Sequence, residues 1–259
     1  MKKSICIETV FTEYSFEERF SLASEAGFDY IEFWSWENKN LKKIKRLCKE
    51  NDLEIASFSG DKDYSLVNPE ENEDYINYIK LSIEKAKFLN CDNLVIHSNA
   101  LGEGGVVLDS YDEISEHKKL INMYKVLSEL APLAEEAEVK LVLEALNTYK
   151  DHDGNCLAHT KDSAELARMV DSSYIKVLFD VYHMQIMEGN IIENLREYID
   201  VIDYIHVADS PDRSEPGTGE INYKNIFKEL ETLDYSHFIG FELFPKKGSK
   251  QVAVELINL

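Results

Sequence analysis

The sequence predicts an α/β protein built as a (β/α)8 TIM barrel, with residues 1–259 forming a single domain. Its length of 259 residues suits one such barrel, which usually takes about 250. Eight short apolar runs are predicted strands and helical patterns lie between them, which is the alternation of a parallel sheet. Several runs are continuously apolar, as expected for strands covered on both faces. An open doubly wound sheet is the alternative architecture.

The predicted strands recur along the whole chain, and no Gly/Pro/Ser-rich linker divides them. They are Ser4–Val10, Tyr30–Trp34, Glu54–Ser59, Asn93–His97, Lys140–Ala145, Lys176–Asp180, Tyr204–Val207 and Phe238–Leu243. Polar, turn-rich stretches follow the fourth and seventh strands, at residues 98–110 and 209–219. Because loops after barrel strands build the active-site face, these two loops are candidate functional segments.

Helical patterns fill the intervals between the strands. Ser15 and Glu18 have the spacing of a capping box, and Gly27 is the expected end of the helix that follows. Amphipathic stripes predict three further helices, the second of which contains Pro132 and could be kinked or broken there. These helices are Glu71–Leu89, His117–Ala137 and Tyr223–Leu233, the last capped by Asn222.

The charge balance excludes several classes of partner. The chain has 28 basic and 49 acidic residues, a net charge of −21. The electrostatic field of a protein with this net charge repels nucleic acid and anionic membrane surfaces, so neither is expected to bind. The predicted partner is a small molecule, and a homo-oligomer is left open. The four cysteines form no C-x-x-C pair, and neither a signal peptide nor a membrane span is recognisable, so we expect a cytoplasmic protein.

Four of the apolar runs end on a residue that can bind a divalent metal. These residues are Glu144, Asp180, His206 and Glu242, separated by 36, 26 and 36 positions. A strand and its returning helix take about 30 residues, so consecutive βα units produce such intervals. In a closed parallel barrel the four side chains converge at one mouth. The spacing therefore predicts a metal site of three carboxylates and one imidazole.

Each of these residues alone has a structural explanation. Glu144 and Glu242 could cap helices or pair with lysines, Asp180 could be a helix N-cap, and His206 could be a satisfied core histidine. The metal site is the better hypothesis because four independent structural roles would have to coincide at strand ends.

Further candidates lie close to the same mouth. His183 follows Asp180 by three residues, and His97 ends the fourth predicted strand. Arg213 and Glu215 lie in the loop after the seventh strand. For each, a solvated or backbone-bonded side chain is the competing interpretation. Trp34, like the nearby Trp36, either walls a pocket or packs under the outer helices.

Three segments resemble one protein family. Phe179–Gly189, Ala208–Tyr223 and Phe11–Phe20 are similar to the hydroxypyruvate isomerase family, part of the wider xylose-isomerase-like barrels of sugar isomerases and epimerases. The run Glu-Pro-Gly-Thr-Gly-Glu-Ile-Asn-Tyr that ends the second segment is the most specific part. The resemblance covers most of the chain and implies a (β/α)8 fold.

The resemblance also implies a cofactor and residue roles. One divalent ion is expected, typically Mn²⁺, Mg²⁺ or Co²⁺, with Zn²⁺ possible, held by the four strand-end residues. Glu144 and Glu242 would also be the catalytic acid/base pair, while His183 and Arg213, with His97 and Glu215 near them, would bind the substrate. Hydroxypyruvate isomerases usually carry glutamine in place of His206, whereas ketose 3-epimerases of the superfamily carry histidine.

This chemistry suits an α-hydroxy carbonyl substrate, such as hydroxypyruvate, a 2-oxotetronate or a sugar. One glutamate removes the proton beside the carbonyl and the other returns a proton, which gives isomerisation or epimerisation. The alternatives are a ketose 3-epimerase, an inosose-type dehydratase, a non-catalytic sugar-binding barrel and a metal-dependent apurinic endonuclease. The endonuclease is disfavoured by the net charge and by Ser214, which stands where that family's Asp-Arg-His motif has histidine.

Overall fold

Eight parallel strands pair in chain order and close into a barrel, with β8 returning to β1. The structure is a computed structural model that describes residues 1–259. The strands are β1 Lys2–Cys6, β2 Tyr30–Phe33, β3 Glu54–Ser59, β4 Asn93–Ile96, β5 Lys140–Glu144, β6 Ile175–Asp180, β7 Ile202–Val207 and β8 Phe238–Phe241. The predicted TIM barrel is confirmed, and the open sheet is excluded.

Nine helices follow the strands. They are α1 Glu18–Glu25, α2 Leu41–Glu50, α3 Asn72–Leu89, α4 Glu116–Ala137, α5 Thr160–Val170, α6 Val181–Met187, α7 Ile191–Tyr198, α8 Tyr223–Thr232 and α9 Ser249–Ile257. Short 3₁₀ turns occupy Pro69–Glu71 and Glu103–Gly105. None of the helices combines the length and the hydropathy that a membrane crossing requires.

The local predictions hold at Asn222 and Gly27, and the predicted first strand is too long. Asn222 caps α8 by accepting the backbone N–H of Asn225, and Gly27 ends the first helical segment at φ 98°. Pro132 lies inside α4, which continues through it as one helix. The first strand stops at Cys6 rather than continuing to Val10, because the backbone N–H of Val10 turns back to donate to the Cys6 carbonyl.

Apolar packing occurs in two places, between the barrel and its helices and inside the barrel itself. The larger cluster contains 68 buried residues and joins strands to helices. The inner cluster consists of Ala56, Val95, Val142, Leu178 and Tyr204, one residue from each of five neighbouring strands. Side chains alternate between the two faces of a strand, so residues two positions further along also point inward. That rule brings His97, Glu144, Asp180 and His206 above this inner layer, at the C-terminal mouth.

Candidate active site

A cavity of about 740 Å³ opens at the C-terminal mouth of the barrel. Its wall includes both candidate loops, through Leu101–Gly105 and Arg213. Aromatic side chains of Trp34 and Phe244 lie at its rim and polar side chains lie at its floor. Its volume is within the usual range for small-molecule sites, about 300–1,000 Å³.

The four strand-end residues meet at the floor of this cavity. One ligand atom from each of Glu144, Asp180, His206 and Glu242 lies within 4.8 Å of the others. His206 Nδ1 lies at the centre, 3.5 Å from Glu144 Oε1, 3.9 Å from Asp180 Oδ2 and 3.7 Å from Glu242 Oε2. The convergence that the spacing predicted is therefore present, and all four side chains are buried.

The donor set fits a hard divalent cation. Three atoms that face the centre of the cluster have no hydrogen-bond partner: Glu144 Oε1, Asp180 Oδ2 and His206 Nδ1. Buried polar atoms are rarely left unpaired, and an unpaired group at a functional site often marks an ion or a water. Carboxylate and imidazole ligands are those that Mn²⁺ and similar ions accept in proteins.

The electrostatics of the cluster also favour a bound cation. Burial raises the pKa of Asp180 to about 7. The charge of Arg213 opposes this rise, and the neighbouring carboxylates add to it. Burial also acts to raise the pKa of Glu144, but His206 and His97 hold it well below its usual range. Three carboxylates this close repel one another, so a cation at their centre would let all of them stay ionised.

Asp180 uses its two oxygens differently. Oδ1 accepts the backbone N–H groups of Tyr182 and His183, at 2.7 and 3.2 Å, and so caps α6. Oδ2 faces the cluster. Helix capping and a place in the cluster, which the sequence presented as alternatives, are both compatible with this side chain.

Glu242 follows the end of β8 and has two partners. Its Oε1 accepts the indole N–H of Trp34 at 2.7 Å, and its Oε2 pairs with the guanidinium of Arg213. Burial acts to raise the pKa of Glu242, but Arg213 and His206 lower it below its usual value. The Arg213 guanidinium also lies 3.9 Å from Asp180 Oδ2, so the loop after β7 brings one cation to two carboxylates.

His183 projects from α6 into the cavity with one defined tautomer. Its Nδ1 receives the side-chain N–H of Asn147 at 2.6 Å and the backbone N–H of the same residue at 3.3 Å. Burial and the charge of Arg213 hold its pKa well below the usual value, so the ring is neutral. A neutral ring that accepts at Nδ1 carries its proton on Nε2. That Nε2 has no hydrogen-bond partner and lies 3.6 Å from Asp180 Oδ2.

A second buried carboxylate, Glu32 of β2, lies beneath His206. Glu32 Oε2 accepts the hydroxyl of Tyr204 at 2.5 Å and lies 3.4 Å from His206 Nε2. The residue paired with His206 in β8 is Gly240, where an added Cβ would come within 2.6 Å of the Glu32 carboxylate. Sequence reasoning missed Glu32, although a charged residue inside an apolar strand was a signal that it needs a partner.

His97 lies beside the cluster with both ring nitrogens engaged. Nδ1 bonds to Asp61 Oδ1 at 3.0 Å and Nε2 bonds to Glu144 Oε2 at 3.2 Å. His97, which the sequence placed with the substrate-binding residues, lines the cavity and is bonded to two carboxylates, and its contact with a substrate stays a prediction. Asp61 was also missed, although it lies only two positions after the end of β3.

Glu215 does not reach the cavity. Its side chain is buried behind the loop after β7, where Oε2 accepts the backbone N–H of Lys246 at 2.8 Å. The expected place at the substrate is therefore corrected to one that ties this loop to the segment after β8. Asp209 holds the same loop by accepting the backbone N–H groups of Gly217, Gly219 and Ile221.

Fold and site together define an α/β barrel with a carboxylate–imidazole cluster in a cavity at its C-terminal mouth, the place where barrel enzymes carry their active sites. The chain belongs to the xylose isomerase-like TIM barrel family, whose model matches residues 20–258.

Two curated relatives carry isomerase names. The chain is 28% identical to the hydroxypyruvate isomerase of Escherichia coli (strain K12), with 95% of this chain and 94% of the relative covered. It is 29% identical to the 2-oxo-tetronate isomerase of Pectobacterium atrosepticum, with 93% and 90% covered. The predicted resemblance to the hydroxypyruvate isomerase family is confirmed.

Two of the solved structures that share the fold illustrate the likeness. One is described as an AP endonuclease, family 2, from Brucella melitensis, with a TM-score of 0.89, 23% identity and coverage of 99% of this chain and 98% of that one. The other is a D-psicose 3-epimerase in the presence of D-fructose, with a TM-score of 0.83, 16% identity and coverage of 100% and 97%. At these identities the likeness concerns the fold alone.

Proposed function

We propose that this protein is a divalent-metal-dependent isomerase of small α-hydroxy carbonyl compounds, with Glu144 and Glu242 as the proton-transfer pair. One observation carries the proposal. Glu144 ends β5 and Glu242 follows β8. Oε1 of Glu144 lies 3.5 Å and Oε2 of Glu242 lies 3.7 Å from the same atom, His206 Nδ1. The names of the two isomerase relatives support the same reaction class.

Each glutamate has one oxygen in a hydrogen bond away from the cluster and the other at the cluster, where Oε2 of Glu242 also pairs with Arg213. Glu144 is bonded through Oε2 to His97, and Glu242 is bonded through Oε1 to Trp34. Both carboxyl groups have a lowered pKa, so both are ionised at neutral pH and able to accept a proton. One of them takes the proton from the carbon beside the carbonyl. The other donates a proton to the neighbouring carbon or to the opposite face of the same carbon.

Glu144, Asp180, His206 and Glu242 would hold the ion. When bound, a divalent ion supplies Lewis-acid polarisation of the substrate carbonyl. His183 contributes a neutral N–H donor at Nε2 for a substrate oxygen, and Arg213 contributes a cation from the loop above. Trp34 and Phe244 limit access of water from the rim.

A ketose 3-epimerase is the second candidate, and two observations favour it. The cavity of about 740 Å³ leaves room for a five- or six-carbon sugar. The cluster contains an imidazole at His206, the residue typical of the ketose 3-epimerases, rather than glutamine. Epimerisation needs the same two glutamates, since the proton returns to the opposite face of the carbon that lost it.

The test is a substrate screen in deuterated water. The Mn²⁺-loaded protein is incubated with hydroxypyruvate, 2-oxotetronates and free ketoses, and deuterium in the product is followed by NMR. We expect turnover that disappears with a chelator, returns with Mn²⁺ and places deuterium on the reacting carbon. The product distinguishes an isomerase from an epimerase. Metal-independent turnover, or turnover without deuterium incorporation, would contradict the proposal.

A further inference from the structure

His97 lies between two carboxylates that come from different loops. Its Nδ1 and Nε2 atoms are 3.0 Å from Asp61 Oδ1 and 3.2 Å from Glu144 Oε2. A neutral imidazole donates through one nitrogen only and would direct a lone pair at the other carboxylate. The ring therefore donates to both partners.

Asp61 is itself held rigidly. Its Oδ2 accepts the backbone N–H of His97 at 2.5 Å and the hydroxyl of Tyr75 at 3.2 Å, which leaves Oδ1 for the imidazole. The preceding residue, Gly60, donates its N–H to the Val95 carbonyl at 2.7 Å, and this contact extends the pairing of β3 with β4. The carboxylate is buried, so water competes little for these bonds.

The His97 bond leaves the two oxygens of Glu144 in different situations. Oε2 is occupied by His97, while Oε1 has no hydrogen-bond partner and faces His206 Nδ1 at 3.5 Å. A glutamate has three side-chain torsions and loses rotamer freedom only where something holds it. The only hydrogen bond of the Glu144 carboxylate comes from His97.

We propose that Asp61 and His97 form a positioning pair that fixes Glu144 through Oε2, so that Oε1 alone is presented to the metal-binding cluster and to the substrate. Asp61 acts on Glu144 only through His97. The inference rests on the proposed function of Glu144, and it adds two positioning residues to it.

The experiment combines three variants, H97A, H97Q and D61N, with the double variant H97A/D61N. Partners of metal ligands typically change activity or metal affinity by about 10- to 100-fold when replaced. We expect kcat in H97A and D61N to fall by about this factor, with KM changed by less than about threefold. H97Q can still donate an N–H toward Glu144, so we expect it to recover part of the loss.

The double variant tests whether the pair acts as a unit. Because Asp61 acts through His97, adding D61N to H97A should change neither kcat nor the Mn²⁺ dissociation constant further. D203N is the matched control. Asp203 is also a buried carboxylate, but it lies at the opposite end of the barrel, where it pairs with Lys140 and lies 3.7 Å from His237 Nε2. We expect D203N to lower thermal stability and leave kcat unchanged.

A crystal structure of H97A tests whether His97 positions Glu144, without a measurement of turnover. We expect the Glu144 carboxylate to leave its wild-type rotamer or to occupy several, and Mn²⁺ binding measured without substrate to weaken. Multiplicative losses in the double variant, or an unmoved Glu144 in H97A, would overturn the positioning pair. If the wild-type protein turns over no α-hydroxy carbonyl compound, the proposed function fails, while the rotamer of Glu144 in H97A still tests the pair.

Discussion

The indole N–H of Trp34 donates to Oε1 of Glu242 at 2.7 Å, from the segment after β2 to the residue after β8. This bond holds the outer oxygen of the carboxylate and leaves Oε2 directed at the cluster. Oε2 of Glu242 also pairs with Arg213, whereas the corresponding Oε1 of Glu144 has no hydrogen-bond partner. The side chain of Trp34 remains 44% exposed, so its indole lines the cavity as well as holding Glu242.

Replacing Trp34 with phenylalanine should lower kcat by about 10- to 100-fold, because hydrogen bonds to charged groups contribute about 1.5–3 kcal/mol. Steady-state kinetics on the best substrate provide the measurement. Trp36→Phe is the matched control, since the Trp36 indole donates to Ser82 Oγ at 2.9 Å and stacks on Tyr78 outside the cavity. Equal losses in the two variants would contradict the role assigned to Trp34.

Metal affinity should fall as the pH falls, most steeply below about 7. Asp180, with its pKa raised to about 7, holds a proton below that pH in the metal-free protein, and this proton must leave when a cation binds. His206, whose pKa is raised well above its usual value despite burial, adds a second proton to be displaced. One competing proton weakens binding about tenfold per pH unit. Mn²⁺ titrations followed by electron paramagnetic resonance from pH 5.5 to 8.5 measure the slope, and a flat profile would refute the assignment.

Glu32→Gln should weaken Mn²⁺ binding by about 10- to 100-fold. The Glu32 carboxylate lies 3.4 Å from His206 Nε2 and is the acceptor that can hold the ring with Nδ1 toward the cluster. An amide can place its own N–H groups against that nitrogen and turn the ring. Isothermal titration with Mn²⁺ gives the dissociation constant. Glu54→Gln, an exposed glutamate at the start of β3, should bind the metal as the wild type does.

Gly240→Ala should destabilise the protein by about 1–3 kcal/mol, the usual cost of overpacking a filled interior. Its Cβ would lie 2.6 Å from Glu32 Oε2 and 2.9 Å from His206 Cδ2. Urea denaturation measures the free energy of unfolding. Gly248→Ala is the control, because its Cβ meets open space and its φ of −60° suits alanine. Similar unfolding free energies for the two variants would show that the packing around Glu32 is loose.

The barrel and the carboxylate–imidazole cluster were predictable because both follow from local rules. Continuous apolar runs marked the strands, and the polar residue that ended four of them marked the mouth. The prediction of β1 extended too far, because Ile7 and Val10 are apolar and buried but belong to a turn rather than to the strand.

The partners of the cluster were not predictable from local patterns. Tyr204 and Glu32 are separated by 172 positions, and Trp34 and Glu242 by 208, so only the closed barrel brings each pair together. Asp61 lies near a strand end, but it comes two positions after the last residue of β3, with Gly60 between them. The expected place of Glu215 at the substrate was wrong because the loop after β7 directs its side chain behind the cavity.

The central claim is that one of Glu144 and Glu242 removes a proton from the substrate and the other returns a proton to the product. The most direct test measures product formation and solvent deuterium exchange in Glu144→Gln and Glu242→Gln, with Glu229→Gln as a control that loses only a surface ion pair with Arg196. We predict that both cluster variants fold and form no product, that one of them still exchanges the substrate proton with deuterium, and that the control is unaffected. Near-normal product formation in either cluster variant would contradict the account.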